Sequence, residues 1–442
     1  VIIWHVQMLI IFLGCIMNRK GFISTAALYS FFLVFCMLLI LIMTTYTNNR
    51  VNYKIVKIDA KKWAYDNSSL KNRYFSTPDN PIIIPPDGPS NPDNPSPSPE
   101  PGNPDTPVFS IEGYKTILIN NGGGNTTYDS AINYIKGKSI PTFSTVATTN
   151  EGMFAANDNQ GTSYYFRGAV NNNWVKYGKD SSNNDIYWRI IRINGDNSIR
   201  MIYSGTTNPT AESSVVNSNG VFMQTTTTGI GTTKFNSSSN RAEYVGYMYT
   251  INSQHGYQTS SLIKNSVDNW FKNTTLNGDT NVVDNVFCND RNLPKGTWNS
   301  IPTNKIEYGP RKRFLDSLIP SLNCENNQDR FTKSTTIGNG KLIYPVGLIT
   351  ADEVSLAGSY RLSNNKTFYL YTGYSYYTMS PNLVKKYSSG SIISYVFIMT
   401  EEGNMPNYSV TSTAYIRPVI NLNGNVKLSG TGTYDNVYEV VK

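Results

Sequence analysis

The chain has 442 residues, 39% apolar, 15% charged and 12% aromatic, a composition that folds rather than one that stays disordered. Its formal charge of +8 is unevenly placed: residues 17–75 carry nine Lys/Arg against two Asp, and residues 76–107 carry five acidic residues and no basic one. The remaining excess of +6 is spread over more than 300 residues, which excludes the concentrated basic stripe of a nucleic-acid-binding face.

Residues 1–16, VIIWHVQMLIIFLGCI, are apolar but short for a span and include His5 and Gln7. They are expected to be an upstream extension, with translation starting at Met17; a second membrane segment or a signal-peptide core is the competing reading. After the short basic stretch 17–21, the run from Phe22 to Tyr46 (FISTAALYSFFLVFCMLLILIMTTY) contains no charge. A helix of that length spans about 37 Å, enough to cross a bilayer core. Residues 22–47 are therefore predicted to be a single transmembrane helix, with the membrane as a partner.

Residues 48–75 form a basic juxtamembrane segment, predicted to be partly helical. Five lysines and arginines between Arg50 and Lys62 follow the helix, while Arg19 and Lys20 precede it. Taken alone, those charges would keep the large domain in the cytoplasm. Residues 76–107 point the other way. From Pro78 to Pro107, twelve of thirty residues are proline, which excludes a long helix or a sheet core. An extended polyproline-like tether of this length reaches about 90 Å. Such a stalk suits a protein that must clear a cell wall, so the expectation is a single-pass membrane protein with its large domain outside the cell.

Residues 108–442 read as one globular, β-rich α+β ectodomain. Strands are predicted at TILI (Thr116–Ile119), YWRIIRI (Tyr187–Ile193) and SIRMIYS (Ser198–Ser204). The last two flank the turn-rich Asn194–Asn197 and so form a hairpin. A helix starting near Ser260 places Ile263, Val267, Trp270 and Phe271 on one face. Another starts at Thr350, where Thr350 and Glu353 form a capping box. AYIRPVINL (Ala414–Leu422) reads as a buried terminal strand. Outside the apolar N-terminus the cysteines are Cys288 and Cys324, and an isolated pair in an exported domain reads as one disulfide; two buried free thiols are the alternative.

The chemistry-bearing residues are sparse. His255 is the one histidine beyond the anchor, in a loop-like NSQHGYQ, and reads as a packing residue before a catalytic base. No G-x-S-x-G elbow or phosphate-binding loop occurs, and Gly122–Gly124 reads as a turn. Asp352 and Glu353 suit a helix N-terminus. DSSNND (Asp180–Asp185) lacks the glycine and glutamate of a calcium loop. The reading is therefore a binding protein rather than an enzyme, without a cofactor or metal. With 31 tyrosines in the chain, Tyr371, Tyr374, Tyr376 and Tyr377, together with Trp298, are candidates for a ligand surface, and core or edge-strand tyrosines are the alternative.

Two resemblances extend this. The leader ending in Lys20–Gly21, with Phe22 opening an apolar helix, resembles the type IV prepilin signal. That resemblance implies cleavage after Gly21, methylation of Phe22 and pilin-like subunits as partners. The chain departs from it at Ala26, where pilins usually carry Glu, which puts an ordinary filament shaft in doubt and leaves a minor or tip subunit. A plain signal-anchor helix is the alternative. The strings EGMFAANDNQGTSYYFRG, YWRIIRINGDNSIRMIY, VDNWFKN, VFCNDR, YPVGLITADEVSLAG, YTMSP and YIRPVINL resemble a group of exported proteins from low-GC Gram-positive bacteria. The order of LITADEV, YYTMSP and YIRPVI also resembles the formylglycine-generating-enzyme branch of the C-type lectin-like fold. Cys288 and Cys324 do not sit where that branch has its oxidative cysteines, so its activity is not carried over. The combined expectation is a cell-surface adhesion or recognition protein with a C-type lectin-like domain that binds a glycan or protein. The alternatives are an exported wall- or glycan-acting enzyme and a structural wall-associated protein.

Overall fold

The computed structural model describes residues 111–122, 127–209, 214–216, 222–224 and 229–441. The leader with Gly21 and Phe22, the 22–47 helix, the juxtamembrane segment, the 76–107 linker and Gly123–Gly124 lie outside the described residues. Among the described residues no helix is long and apolar enough to cross a membrane.

Five consecutive strands open the β-structure: β1 (Asn150–Asp158), β2 (Gly161–Gly168), β3 (Trp174–Lys179), β4 (Asp185–Ile193) and β5 (Ile199–Tyr203). The hub is β4. One of its edges pairs with β5, and the other is shared between β3, with Val175 opposite Trp188, and β2, with Tyr165 opposite Arg192. A register shift between Ile190 and Arg192 bends the strand, and the sheet curls around it. All of β4 after Asp185 is buried, which explains a near-continuous apolar run in place of alternation. Past β5 the sheet continues through Val419–Leu422 to Val282–Val283. Past β3 it continues through Tyr438–Val441, which runs parallel to β3, to Lys427–Ser429.

The β4–β5 hairpin forms at the expected Asn194–Asn197. The Asn197 amide donates to the Asn194 carbonyl at 2.9 Å, and Asn197 takes the left-handed conformation (φ 70°) that asparagine tolerates. TILI, expected as a strand, lies inside helix α1 (Glu112–Asn121). Its β-branched residues favour a strand locally, but Tyr114, Ile117 and Leu118 share one helical face and are buried together, and that tertiary burial decides. A second helix, α2 (Tyr128–Gly137), is capped by the Thr127 side chain and buries Ala131 and Ile135.

Helix α3 (Leu262–Lys272) begins one residue after its Ser261 cap. Ile263, Val267 and Phe271 are buried, and Trp270 packs edge-on against Trp188 and Tyr203 of the main sheet. Helix α4 (Ala351–Ala357) starts from the expected capping box of Thr350 and Glu353.

A second sheet is built on Tyr376–Lys386, paired with Ile392–Met399 and, through Tyr376, in parallel with Thr413–Tyr415. Its register shifts on either side of Pro381, where proline cannot donate to the ladder. The bulged backbone there faces α4: the Ala351 amide donates to Ser380 Oγ at 2.9 Å and the Met379 amide to the Ile349 carbonyl at 2.7 Å. AYIRPVINL is accordingly two strands. Thr413–Tyr415 belongs to the second sheet and Val419–Leu422 to the first, with Arg417–Pro418 carrying the chain between them, and two further strands follow it.

The turns β1–β2 and β4–β5 meet at Gly195. A Cβ there would come within 2.4 Å of the Gly161 nitrogen and 2.5 Å of Asp158 Oδ1, so only glycine permits the approach. Gly195→Ala should destabilise the domain by about 1–3 kcal/mol, measured by denaturant unfolding. An unchanged midpoint would show that the two turns do not need this contact.

Candidate functional site

The strings FRG, YWRIIRI and SIRMIYS insert arginines into strands that are otherwise apolar. Arg192 and Arg200 consequently lie inside the domain, their side chains 7% and 1% exposed, where an unpaired charge would be costly. Glu353, from the first turn of α4, meets both. Its Oε1 lies 3.1 Å from Arg192 Nε and 2.6 Å from Arg200 Nε. Its Oε2 accepts from the Thr350 amide at 2.9 Å. One carboxylate thus closes the capping box and neutralises a buried arginine pair.

Arg192 reaches on to Asp158 at 2.8 Å. That carboxylate also accepts from Ser163 Oγ and from the amides of Gln160, Gly161 and Gly195, so it holds both hairpin turns. At the neighbouring position of α4, Asp352 meets Arg313 at 2.7 Å, and Arg313 also meets Asp290 at 2.8 Å. Burial alone would raise the carboxyls of Asp158 and Glu353. For Asp158, Arg192 and its hydrogen-bond donors outweigh burial; for Glu353, Arg200 and Arg192 do. Both carboxyls are held below their ordinary values. Burial prevails at Asp290 and raises it despite Arg313, and it pushes Arg200 down to about 10.

Cys288 and Cys324 are joined in a disulfide with Cα atoms 5.7 Å apart, closing a loop across 36 positions. That loop is laid onto the β1–β2 turn by Asn159, whose amide side chain pairs with both backbone groups of Cys324 at 2.8 and 3.2 Å. The ion-pair cluster and Cys288 of the disulfide border a cavity of about 30 Å³, lined by Asp158, Arg192, Arg200, Asp352 and Glu353 among others. That is room for about one water molecule, against the ~300–1,000 Å³ of ordinary ligand pockets.

Tyr376 and Tyr377 are fully buried, so neither can belong to a contact surface. Tyr376 donates to the Leu370 carbonyl and lies under the Arg417 guanidinium; Tyr377 donates to the Ser412 carbonyl and packs on Phe235. Tyr371 and Tyr374 are partly exposed. The Tyr371 hydroxyl donates to the Glu401 carbonyl at 2.8 Å, and Tyr374 packs edge-on to Tyr415.

Trp298 lies apart from these tyrosines in the pocket it lines. It borders an open groove of about 410 Å³ with Leu293, Lys295, Asn299, Asn304 and Lys305. His255 Nδ1 sits 2.9 Å from the buried Asp329, which also binds Arg291 at 2.6 Å. The Asp180 carboxylate is occupied by the amides of Ser182 and Asn184, as a turn requires. Among the described residues no cluster of three or more His, Cys, Asp or Glu is arranged to hold a metal.

No protein-family model, curated protein or solved structure matches this chain.

The ion-pair cluster leaves a clear expectation for Glu353→Gln. Arg192 and Arg200 would lose their shared counter-charge, at a cost of about 3–5 kcal/mol in unfolding experiments. Because the Asp158 and Glu353 carboxyls are depressed, they stabilise the fold above their ordinary values of 3.8 and 4.5, and that contribution is lost as pH falls through the lower folded-state values. Asp290 works in the opposite sense. The unfolding temperature should drop below about pH 4, and the drop should be smaller in Glu353→Gln. An equally steep acid profile in the variant would assign the acid sensitivity elsewhere. Replacing both cysteines by serine should cost about 3–4 kcal/mol.

Proposed function

We propose that this chain is a cell-surface adhesion or recognition protein, a single-pass membrane protein whose proline-rich stalk displays a glycan- or protein-binding domain. At its N-terminus it is pilin-like, a minor or tip subunit rather than a shaft subunit. The observation that carries the recognition reading is the groove beside Trp298. It is open, about 410 Å³, and combines an indole with amides, hydroxyls and two lysines. Aromatic faces with adaptable amides bind sugars and peptides at low entropic cost. The Cys288–Cys324 disulfide supports an exported domain, since such bonds persist in oxidising compartments.

A C-type lectin-like architecture is the finer fold reading. In its support, the segments LITADEV, YTMSP and YIRPVI meet. Ser380 caps the first turn of α4, and Val346–Gly347, just before α4, pairs with Val419–Ile420. The rival reading, a glycan-acting enzyme, needs two carboxylates facing each other across a cleft. Asp158, Asp290, Asp352 and Glu353 are instead each bound by arginine around a cavity of about 30 Å³.

Two measurements on cells test the reading. Protease added to intact, wall-stripped cells should cut within Pro78–Pro107 and release a soluble fragment of about 335 residues. Full protection would put the domain in the cytoplasm and end the surface reading. Mass spectrometry of the mature protein should find a methylated Phe22 at its terminus; an intact start at Met17 would leave an ordinary signal anchor and remove the pilin-like assignment.

A further inference from the structure

The groove at Trp298 has a charge that the recognition reading alone does not require. Its lining includes Lys295 and Lys305 and no carboxylate. The stretch from Arg291 to Arg313 holds six Lys/Arg and one acidic residue, Glu307. Glu307 is shared by Lys305 and Arg311, at 2.8 and 2.9 Å, so it cannot neutralise both. Asp329 takes the charge of Arg291, and Asp290 and Asp352 take that of Arg313; both arginines are turned away into the ion-pair clusters. Lys295 is exposed and has no ion pair among the described residues. What faces the groove is therefore net positive.

The same loop is held rigid from beneath. Ser300 Oγ donates to the buried Glu243 carboxylate, with its two oxygens at 2.8 and 2.7 Å, and the Ser300 carbonyl accepts from the Ala242 amide at 2.8 Å. Ile306–Glu307 pairs with Leu383–Val384 of the second sheet, and the Gly309 amide donates to the Asn292 carbonyl, closing the loop at its base. The indole Nε1 of Trp298 is buried, so the part of the ring the groove can use is carbon. A fixed apolar ring face beside a cation is suited to a sugar ring that bears an anion: the ring packs on the indole and the charge meets the ammonium. Little ordering is required of such a loop on binding.

We propose that the Trp298 groove binds an acidic polysaccharide, with a sugar unit against Trp298 and its carboxylate or phosphate on Lys295, supported by Lys305. This rests on the recognition reading and specifies its ligand class.

The test is equilibrium binding of the full-length protein in detergent to three polysaccharides: polygalacturonate, whose sugars carry carboxylates; a phosphomannan, whose sugars carry phosphates; and neutral dextran. One or both acidic polymers should bind, and which one binds identifies the anion. Affinity should fall several-fold when salt is raised from 50 to 300 mM, as screening requires. Trp298→Ala should lose about 10-fold or more in affinity, and Lys295→Glu about 5-fold or more. Lys295 is exposed, so Lys295→Glu should leave the unfolding temperature unchanged and stands as the decisive variant should Trp298→Ala fail to fold. Dextran binding as tightly as the acidic polymers, wild-type affinity in Lys295→Glu, or no binding to any of the three overturns the proposal. These outcomes are separate from the protease experiment, which can fail or succeed without reference to this groove.

Discussion

The domain depends on one carboxylate, that of Glu353. Two arginines enter the interior from adjacent strands, Arg192 from β4 and Arg200 from β5, and both are buried. Glu353 supplies the charge that makes their burial tolerable, and it can do so because the capping box already fixes its rotamer at the start of α4. Ion pairs of this kind add little net stability over a well-packed apolar alternative, because both partners give up hydration. What they add is specificity. The docking of helix α4 is constrained, because displacing it would leave Arg200 without a carboxylate and Arg192 with Asp158 alone. Asp158 extends the same constraint to the β1–β2 turn, and Arg313 extends it to the disulfide-closed loop.

Two further arginines are buried without a carboxylate. Arg189 donates to Asn173 and to the Val170 carbonyl and stacks over Trp174. Arg417 donates to the carbonyls of Tyr203 and Leu370 and lies over Tyr376. Burial lowers both guanidinium groups, Arg189 to about 9, and the aromatic faces replace part of the lost hydration. This accounts for much of the tyrosine and tryptophan in the conspicuous sequence strings. Tyr376, Trp174 and Trp188 serve as walls and partners for interior polar groups, so an aromatic-rich string such as YSYYTM reports the core more than a binding face.

The elements legible in the sequence were those governed by local rules. The capping box at Thr350, the Ser261-capped α3 and the Asn194–Asn197 hairpin each depend on residues within about one turn or hairpin of each other. TILI was not legible as a helix, because its β-branched residues and its burial pull in opposite directions and only the packed domain decides between them. Nor could AYIRPVINL be divided between two sheets, since the pairing partners of its halves lie more than 30 residues away for Tyr415 and more than 200 for Val419. The ion-pair cluster joins residues as far apart as Asp158 and Glu353. Its one local signal was available: arginines placed inside apolar strands require counter-charges, and Asp352–Glu353 at a helix start offered them.

The disulfide-closed loop divides its work between two ends. Toward the interior it contributes Asp290 and Arg313 to the ion-pair network, and through Cys324 it rests on the β1–β2 turn by way of Asn159. Toward solvent it carries Trp298, Lys295 and Lys305, side chains with no role in that network. Between the ends, Glu243 holds Ser300 and the second sheet holds Ile306, so a change at the solvent side does not have to pass through the cluster. A surface of this design can vary its solvent-facing residues while Arg313, Asp290 and the Cys288–Cys324 bond keep its backbone in place, which is the arrangement expected where a loop carries variable surface and the scaffold beneath it carries precision.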